Sequence, residues 1–327
     1  MEKYFIDPHV HCRDWEQSYK ATIRSVTDIA RKQGVVAIFD MPNTSPPIIS
    51  KELVNKRLKL AEDEGCLESY YLYLGATRDP LQLREAAETV RDYEKVVGIK
   101  LYAGKSVGGL AVTSEEDQKM VYEQLASINY DDVLVVHCEK EKLFREHLWN
   151  PSSPYTWNQA RPPLAEIESV RDQIRFAKES GFKGHLHITH VSTPEAVNVI
   201  QEDKDRLRIS CGVTPHHLMY SIQDMKLRDG MMGKDGLKFK VNPPIRDEFS
   251  KNHLLRYLAE GKIDWIETDH APHTRQEKMY LDHPSGIQSL RYYSVFLGWL
   301  KDMGLSDREI QGLTYDNIKR VFKKINI

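Results

Sequence analysis

Eight short apolar runs, each followed by a stretch of helical periodicity, dominate this 327-residue chain. They fall at residues 4–6 (leading into 7–13), 35–40, 70–74, 96–102, 132–137, 184–190, 208–213 and 263–268. A run such as 35–40, apolar almost throughout, predicts a parallel strand covered on both faces rather than a half-exposed one. The intervening segments 16–33, 50–64, 80–93 and 163–180 carry apolar residues at helical spacing, and Thr193-Pro194 predicts a further helix as cap and first-turn proline. Thr113-x-x-Glu116 reads as a capping box. Eight strands alternating with helices predict an α/β chain folded as a (β/α)8 barrel, one domain over residues 1–327, with segments 287–301 and onward to 323 closing it. No internal repeat or low-complexity linker interrupts the alternation. The irregular stretches 148–161, 228–238 and 271–284 are expected to be active-site loops or subunit contacts. The segment 103–112, with Gly104, Gly108 and Gly109, has the composition of a lid.

In such barrels the site is built at the carboxyl ends of the strands. Asp7-Pro8-His9-Val10-His11-Cys12-Arg13 ends the first run, and alternation predicts that Asp7, His9, His11 and Arg13 share one face. Imidazole is the commonest side-chain metal ligand, so two on one strand end point to a divalent ion. Further polar residues stand at other strand ends: Lys100, His137, His190 and Asp269. Lys100 lies inside an apolar run, where an ammonium must shift its pKa down or reach out to water. A neutral amine there could take up carbon dioxide as a carbamate, whose two oxygens can bridge two cations. Among His185, His187 and His190, periodicity leaves the ligand open; position at the strand end favours His190, with His187 supporting it. His216 and His217 are expected to be structural or to line the substrate pocket.

Lys plus Arg number 46 against 48 for Asp plus Glu, with no long run of one sign. That balance excludes the electrostatic footprint of nucleic-acid or anionic-membrane binding. No apolar run approaches the roughly 20 residues needed to span a bilayer, and the first thirty residues lack the apolar core of a signal peptide. Cys12, Cys66, Cys138 and Cys211 are far apart, which fits a reducing compartment, so a cytoplasmic protein with a small-molecule substrate is expected. Cys12 and Cys138 are expected to pack against the helices.

The motifs at 7–14 (DPHVHCRD), 41–44 (MPNT), 99–102 (IKLY), 136–139 (VHCE), 187–193 (HITHVST), 214–218 (TPHHL) and 267–273 (ETDHAPH) resemble, in order, the signature series of the dihydroorotases of the amidohydrolase superfamily. This resemblance implies two zinc ions: one on His9, His11 and Asp269, the other on His137 and His190, bridged by carbamylated Lys100 and a hydroxide. It implies Asp269 as the catalytic acid and base. Arg13, Asn43 and His273 would then hold the carboxylate of dihydroorotate, with Leu218 and Asn242 as ring contacts. A homodimer is expected. The implied reaction is the reversible hydrolysis of dihydroorotate to N-carbamoyl-L-aspartate in pyrimidine synthesis.

Two features depart from the family pattern. The chain starts close to the first metal motif and has no long tail, leaving no room for the β-sandwich that many relatives build from their termini. The lid stretch, from Lys105 to Gly109, lacks the paired threonines of one dihydroorotase class. The competing enzyme reading is another cyclic amidase of the hydantoinase or allantoinase kind, which Arg13 argues against, because neutral rings offer a guanidinium no carboxylate. A non-catalytic partner subunit would be expected to have lost ligands, and none is missing.

Overall fold

The computed structural model describes residues 4–105, 109–226 and 233–326. The predicted barrel is there. Its strands are β1 (Phe5–Val10), β2 (Val35–Asp40), β3 (Tyr70–Gly75), β4 (Val96–Ala103), β5 (Val133–Cys138), β6 (His185–Ile188), β7 (Ile209–Val213) and β8 (Trp265–Ile266). They pair in chain order, all parallel, with helices between.

Strand alternation sorts the core into two layers. On β3, Tyr71 and Tyr73 point into the barrel with Phe39, Val135 and Trp265, while Leu72 and Leu74 point outward into the layer under the helices. Ile318, Phe322 and Ile325 from the C-terminal segment join the inner cluster. Cys12 and Cys138 lie in the outer layer, as expected, and all four cysteines are free and buried.

Closure between β8 and β1 differs from the other junctions. β7 and β8 share only two register pairs, and β8 meets β1 through a single bridge, Val10 to His270, with the His11 amide donating to the His270 carbonyl at 2.9 Å. A side chain supplies the rest: the Asp7 carboxylate accepts from the Thr268 amide (3.0 Å) and hydroxyl (2.5 Å). The register shift between Asp7 and Val10 breaks strict alternation. Ile6, rather than Asp7, therefore faces the barrel interior below His9, which corrects the predicted shared face.

Several boundaries also move. Segment 16–33 is not one helix: a 3-10 turn covers Trp15–Gln17 and the helix is Ile23–Lys32. Thr22 and Ser25 form its capping box, while Asp14 folds the preceding segment back by accepting from the Ile23 amide at 2.9 Å. The cap near residue 113 is Ser114, whose hydroxyl accepts from the Asp117 amide. Thr193 occupies the N-cap position without a side-chain cap bond. β8 is shorter than 263–268, and the last predicted helix splits into a 3-10 turn, Ser289–Tyr292, and a helix, Tyr293–Asp302.

Candidate active site

A cavity opens at the carboxyl ends of the strands, lined by His9, His11, Arg13, Asn43, His137, His190, Asn242 and Asp269 among others. Eight of the eleven residues singled out from the sequence thus share one wall. Lys100 is fully buried beneath them, His273 stands behind Arg13, and Leu218 is buried in the outer core on the short helix Pro215–Met219, away from the lining.

The groups gather in two clusters. Asp269 Oδ1 is 3.0 Å from His11 Nε2 and 3.3 Å from His9 Nε2, and one ligand atom from each residue falls within 4.8 Å of the others. His137 Nδ1 and His190 Nε2 face each other at 3.2 Å. Thr189 Oγ1 links this pair to Lys100, at 3.0 Å from His190 Nε2 and 3.3 Å from Lys100 Nζ.

Burial sets the charge states. It pushes the Lys100 amine down to about 8, and it pushes the His9 imidazole down to about 4, helped by the positive charge of Lys100. Burial alone would raise the Asp269 carboxyl, but His9 and His11 hold it well below the usual carboxylate range. His9 is thus a neutral imidazole beside an ionised carboxylate, with buried nitrogens left unpaired at His9 Nδ1 and His190 Nδ1. The donor set fits divalent metal, which takes neutral imidazole and ionised carboxylate.

The backbone is bent to make this set. Arg13, His190 and Asp269 have φ of 66°, 39° and 46°, in the left-handed region that side chains resist. The turn at His190 brings a side chain into the cavity from a position that alternation had put on the opposite face from His187. Behind it, His187 Nε2 lies 3.0 Å from Glu267, whose other oxygen accepts from the His190 amide at 2.5 Å. The supporting role expected of His187 is therefore met through Glu267. Gly212 makes room for that carboxylate, because a Cβ there would lie 2.6 Å from Glu267 Cδ.

Other supports were not anticipated. Glu139 Oε2 is 3.2 Å from His137 Nε2 and 2.5 Å from Arg161 Nη1, and Arg161 also donates to the Lys105 carbonyl at 2.8 Å. Burial would raise the Glu139 carboxyl, but Arg161 and His137 hold it down to about 2. Asn43 Oδ1 is 2.7 Å from His11 Nδ1, which turns Nε2 of that ring toward Asp269. Tyr102 also lines the cavity. Glu139, Glu267 and Tyr102 each stand two strand positions from a singled-out residue, and that spacing was the available signal.

Arg13 Nη2 lies 3.2 Å from His273 Nε2, while Arg13 Nη1 is buried without a partner. Asn242 Oδ1 accepts from Trp157 Nε1 (3.0 Å) and the Ser285 hydroxyl (2.9 Å). His216 and His217 are buried structural groups, near Ser289 Oγ (3.2 Å) and the Pro243 carbonyl (3.0 Å) respectively. Of the lid stretch, Ser106, Val107 and Gly108 lie outside the described residues, as do residues 228–232 of the 228–238 segment.

No family model matches the chain. Among curated proteins it is similar to the dihydroorotase of Pyrobaculum aerophilum, 33% identical over 87% of this chain and 63% of that protein. It is also similar to the dihydroorotase of Lactobacillus acidophilus, 29% identical over 84% of this chain and 61% of that one. The chain spans about three fifths of the length of these relatives. Among solved structures, the L-hydantoinase of Arthrobacter aurescens superposes with a TM-score of 0.85 at 22% identity, over 98% of this chain and 71% of that one. The dihydroorotase of Campylobacter jejuni gives 0.72 at 20%, over 98% and 83%. The eight-stranded barrel is the fold of these solved structures, and the chain is similar in sequence to the curated dihydroorotases over more than four fifths of its own length.

Proposed function

We propose that the protein is a dihydroorotase, hydrolysing the ring amide of dihydroorotate to N-carbamoyl-L-aspartate and closing the ring in reverse. The observation that carries the reading is the convergence of a metal-competent triad, His9, His11 and Asp269, and the facing His137 and His190 on one cavity whose wall also holds Arg13, a buried guanidinium with an unpaired nitrogen. A cyclic amidase for neutral rings has no use for that cation.

In this reading His9, His11 and Asp269 hold one zinc ion and His137 and His190 the other. Lys100 would complete the donor set as a carbamate, formed by its neutral amine with carbon dioxide and the loss of a proton. When bound, zinc lowers the pKa of water toward 7 and polarises the ring carbonyl. Asp269, kept ionised, takes the proton of the attacking water and returns it to the ring nitrogen as the C–N bond breaks. Arg13, Asn43 and His273 hold the carboxylate, and Leu218, through its backbone, and Asn242 bound the ring. The enzyme would work in the cytosol, where its buried thiols stay reduced, as a homodimer.

The test is metal analysis of purified protein together with a dihydroorotate hydrolysis assay, with Asp269→Ala alongside. About two zinc ions per chain and turnover are expected, reduced at least 10²-fold in the variant, since acid–base catalysis alone is typically worth about 10²- to 10⁴-fold. Metal-free, inactive wild-type protein would overturn the reading.

A further inference from the structure

Four buried tyrosines have a partner for their hydroxyl. Tyr70 donates to Asp40 (2.7 Å), Tyr73 to the Pro8 carbonyl (3.0 Å), Tyr122 to Gln173 (3.0 Å) and Tyr130 to the Val133 carbonyl (2.8 Å). Tyr102 is 3% exposed, and its buried hydroxyl has no partner among the described residues. Tyr292 and Tyr293 share that condition, but they pack against and in the outer layer; Tyr102 lines the cavity. A hydroxyl left unpaired in a dry site costs free energy that phenylalanine would avoid. Packing alone therefore does not account for a phenol at this position.

Its placement says what it meets. Tyr102 follows Lys100 by two residues on β4, so both point into the barrel, with Tyr102 nearer the mouth. Lys100 Nζ lies 5.2 Å from the Tyr102 ring centroid. At the mouth, Tyr102 and Arg13 line the same cavity. One cavity is thus lined by two residues with an unpaired donor, Arg13 at Nη1 and Tyr102 at Oη. A phenol with an ordinary pKa near 10 keeps its proton at neutral pH. A carboxylate offers about four acceptor sites on two oxygens, enough for both donors together.

We propose that the Tyr102 hydroxyl donates a hydrogen bond to the substrate carboxylate beside Arg13, which makes it a specificity-determining contact. The inference rests on the dihydroorotase reading and adds a residue to it.

Tyr102→Phe removes only the oxygen. The variant and wild-type holoenzyme are compared by metal content, thermal midpoint, dihydroorotate kinetics, and calorimetric binding of orotate, the planar oxidised analogue with the same carboxylate. The expected result is unchanged metal and midpoint, with kcat/KM and orotate affinity both weakened about 10- to 100-fold, the range for a hydrogen bond to a charged group. A fall in kcat with orotate affinity intact would place the hydroxyl at the reacting carbonyl and overturn the carboxylate contact. Unchanged kinetics and binding, or lost metal, would overturn it equally. Failure of the functional reading is seen in the wild type alone, whose inactivity on dihydroorotate would remove both.

Discussion

Lys100 is the residue on which the proposed chemistry turns. Its side chain is fully buried, its nearest polar contact is a hydroxyl rather than a carboxylate, and burial holds its amine near 8. An amine in that state is part neutral at physiological pH and so nucleophilic toward carbon dioxide. Charge accounting favours the adduct: without it, two divalent ions would face four neutral imidazoles and Asp269 as the sole ligating anion. Lys100→Ala is expected to lose most bound zinc and most activity, and a short carboxylic acid supplied with zinc is expected to restore part of both. Full metal content and turnover in the variant without added acid would refute the bridge.

The segment after β1 is the element that carries Arg13, and a buried ionic network holds it. Asp40, at the end of β2, accepts from the Cys12 amide (2.8 Å), from Arg57 Nη2 (2.6 Å) and from the Tyr70 hydroxyl, while Arg57 Nη1 reaches Asp14 at 3.0 Å. The guanidinium lies over the Trp15 ring at 5.0 Å. The left-handed turn from Arg13 to Trp15 is thus clamped from both sides. Arg57→Met leaves two buried carboxylates short of their cation, and breaking a buried pair in this way costs about 3–5 kcal/mol. Denaturant unfolding should show that loss, accompanied by a rise in KM for dihydroorotate as Arg13 loses its frame. The network also shows what the sequence hid. The strands were legible because each is a short apolar run, and the ligand positions because they are polar residues at the ends of those runs. Arg57 sits in a helix whose periodicity gives no sign that its guanidinium is buried, and Asp40 reads as an ordinary strand end. His190 was placed by its position at the strand end against the alternation, and only its backbone turn explains why position prevailed. The split of segment 16–33 was missed because a tertiary bond from Asp14 to the Ile23 amide sets the helix start.

At the scale of the whole barrel, the junction between β8 and β1 is the weak join. Elsewhere adjacent strands share a backbone ladder; here one bridge and the Asp7 carboxylate do the work. His9 and His11 stand on one side of that junction and Asp269 on the other, so an ion held by the three would cross-link the first and last strands. Ligand binding to the native state alone raises stability in proportion to the logarithm of ligand concentration over Kd. Removing metal with a chelator is therefore expected to lower the thermal midpoint, and the loss should be local before it is global. Amide hydrogen exchange reads such local opening directly: the His11, Thr268 and His270 amides should lose protection on chelation, while those of β3 to β5 keep theirs. Uniform loss across all strands would show that the seam has no independence. If exchange is confined to it, the reaction centre doubles as a clasp, and the apo protein is a barrel that can be unfastened at one place without being taken apart.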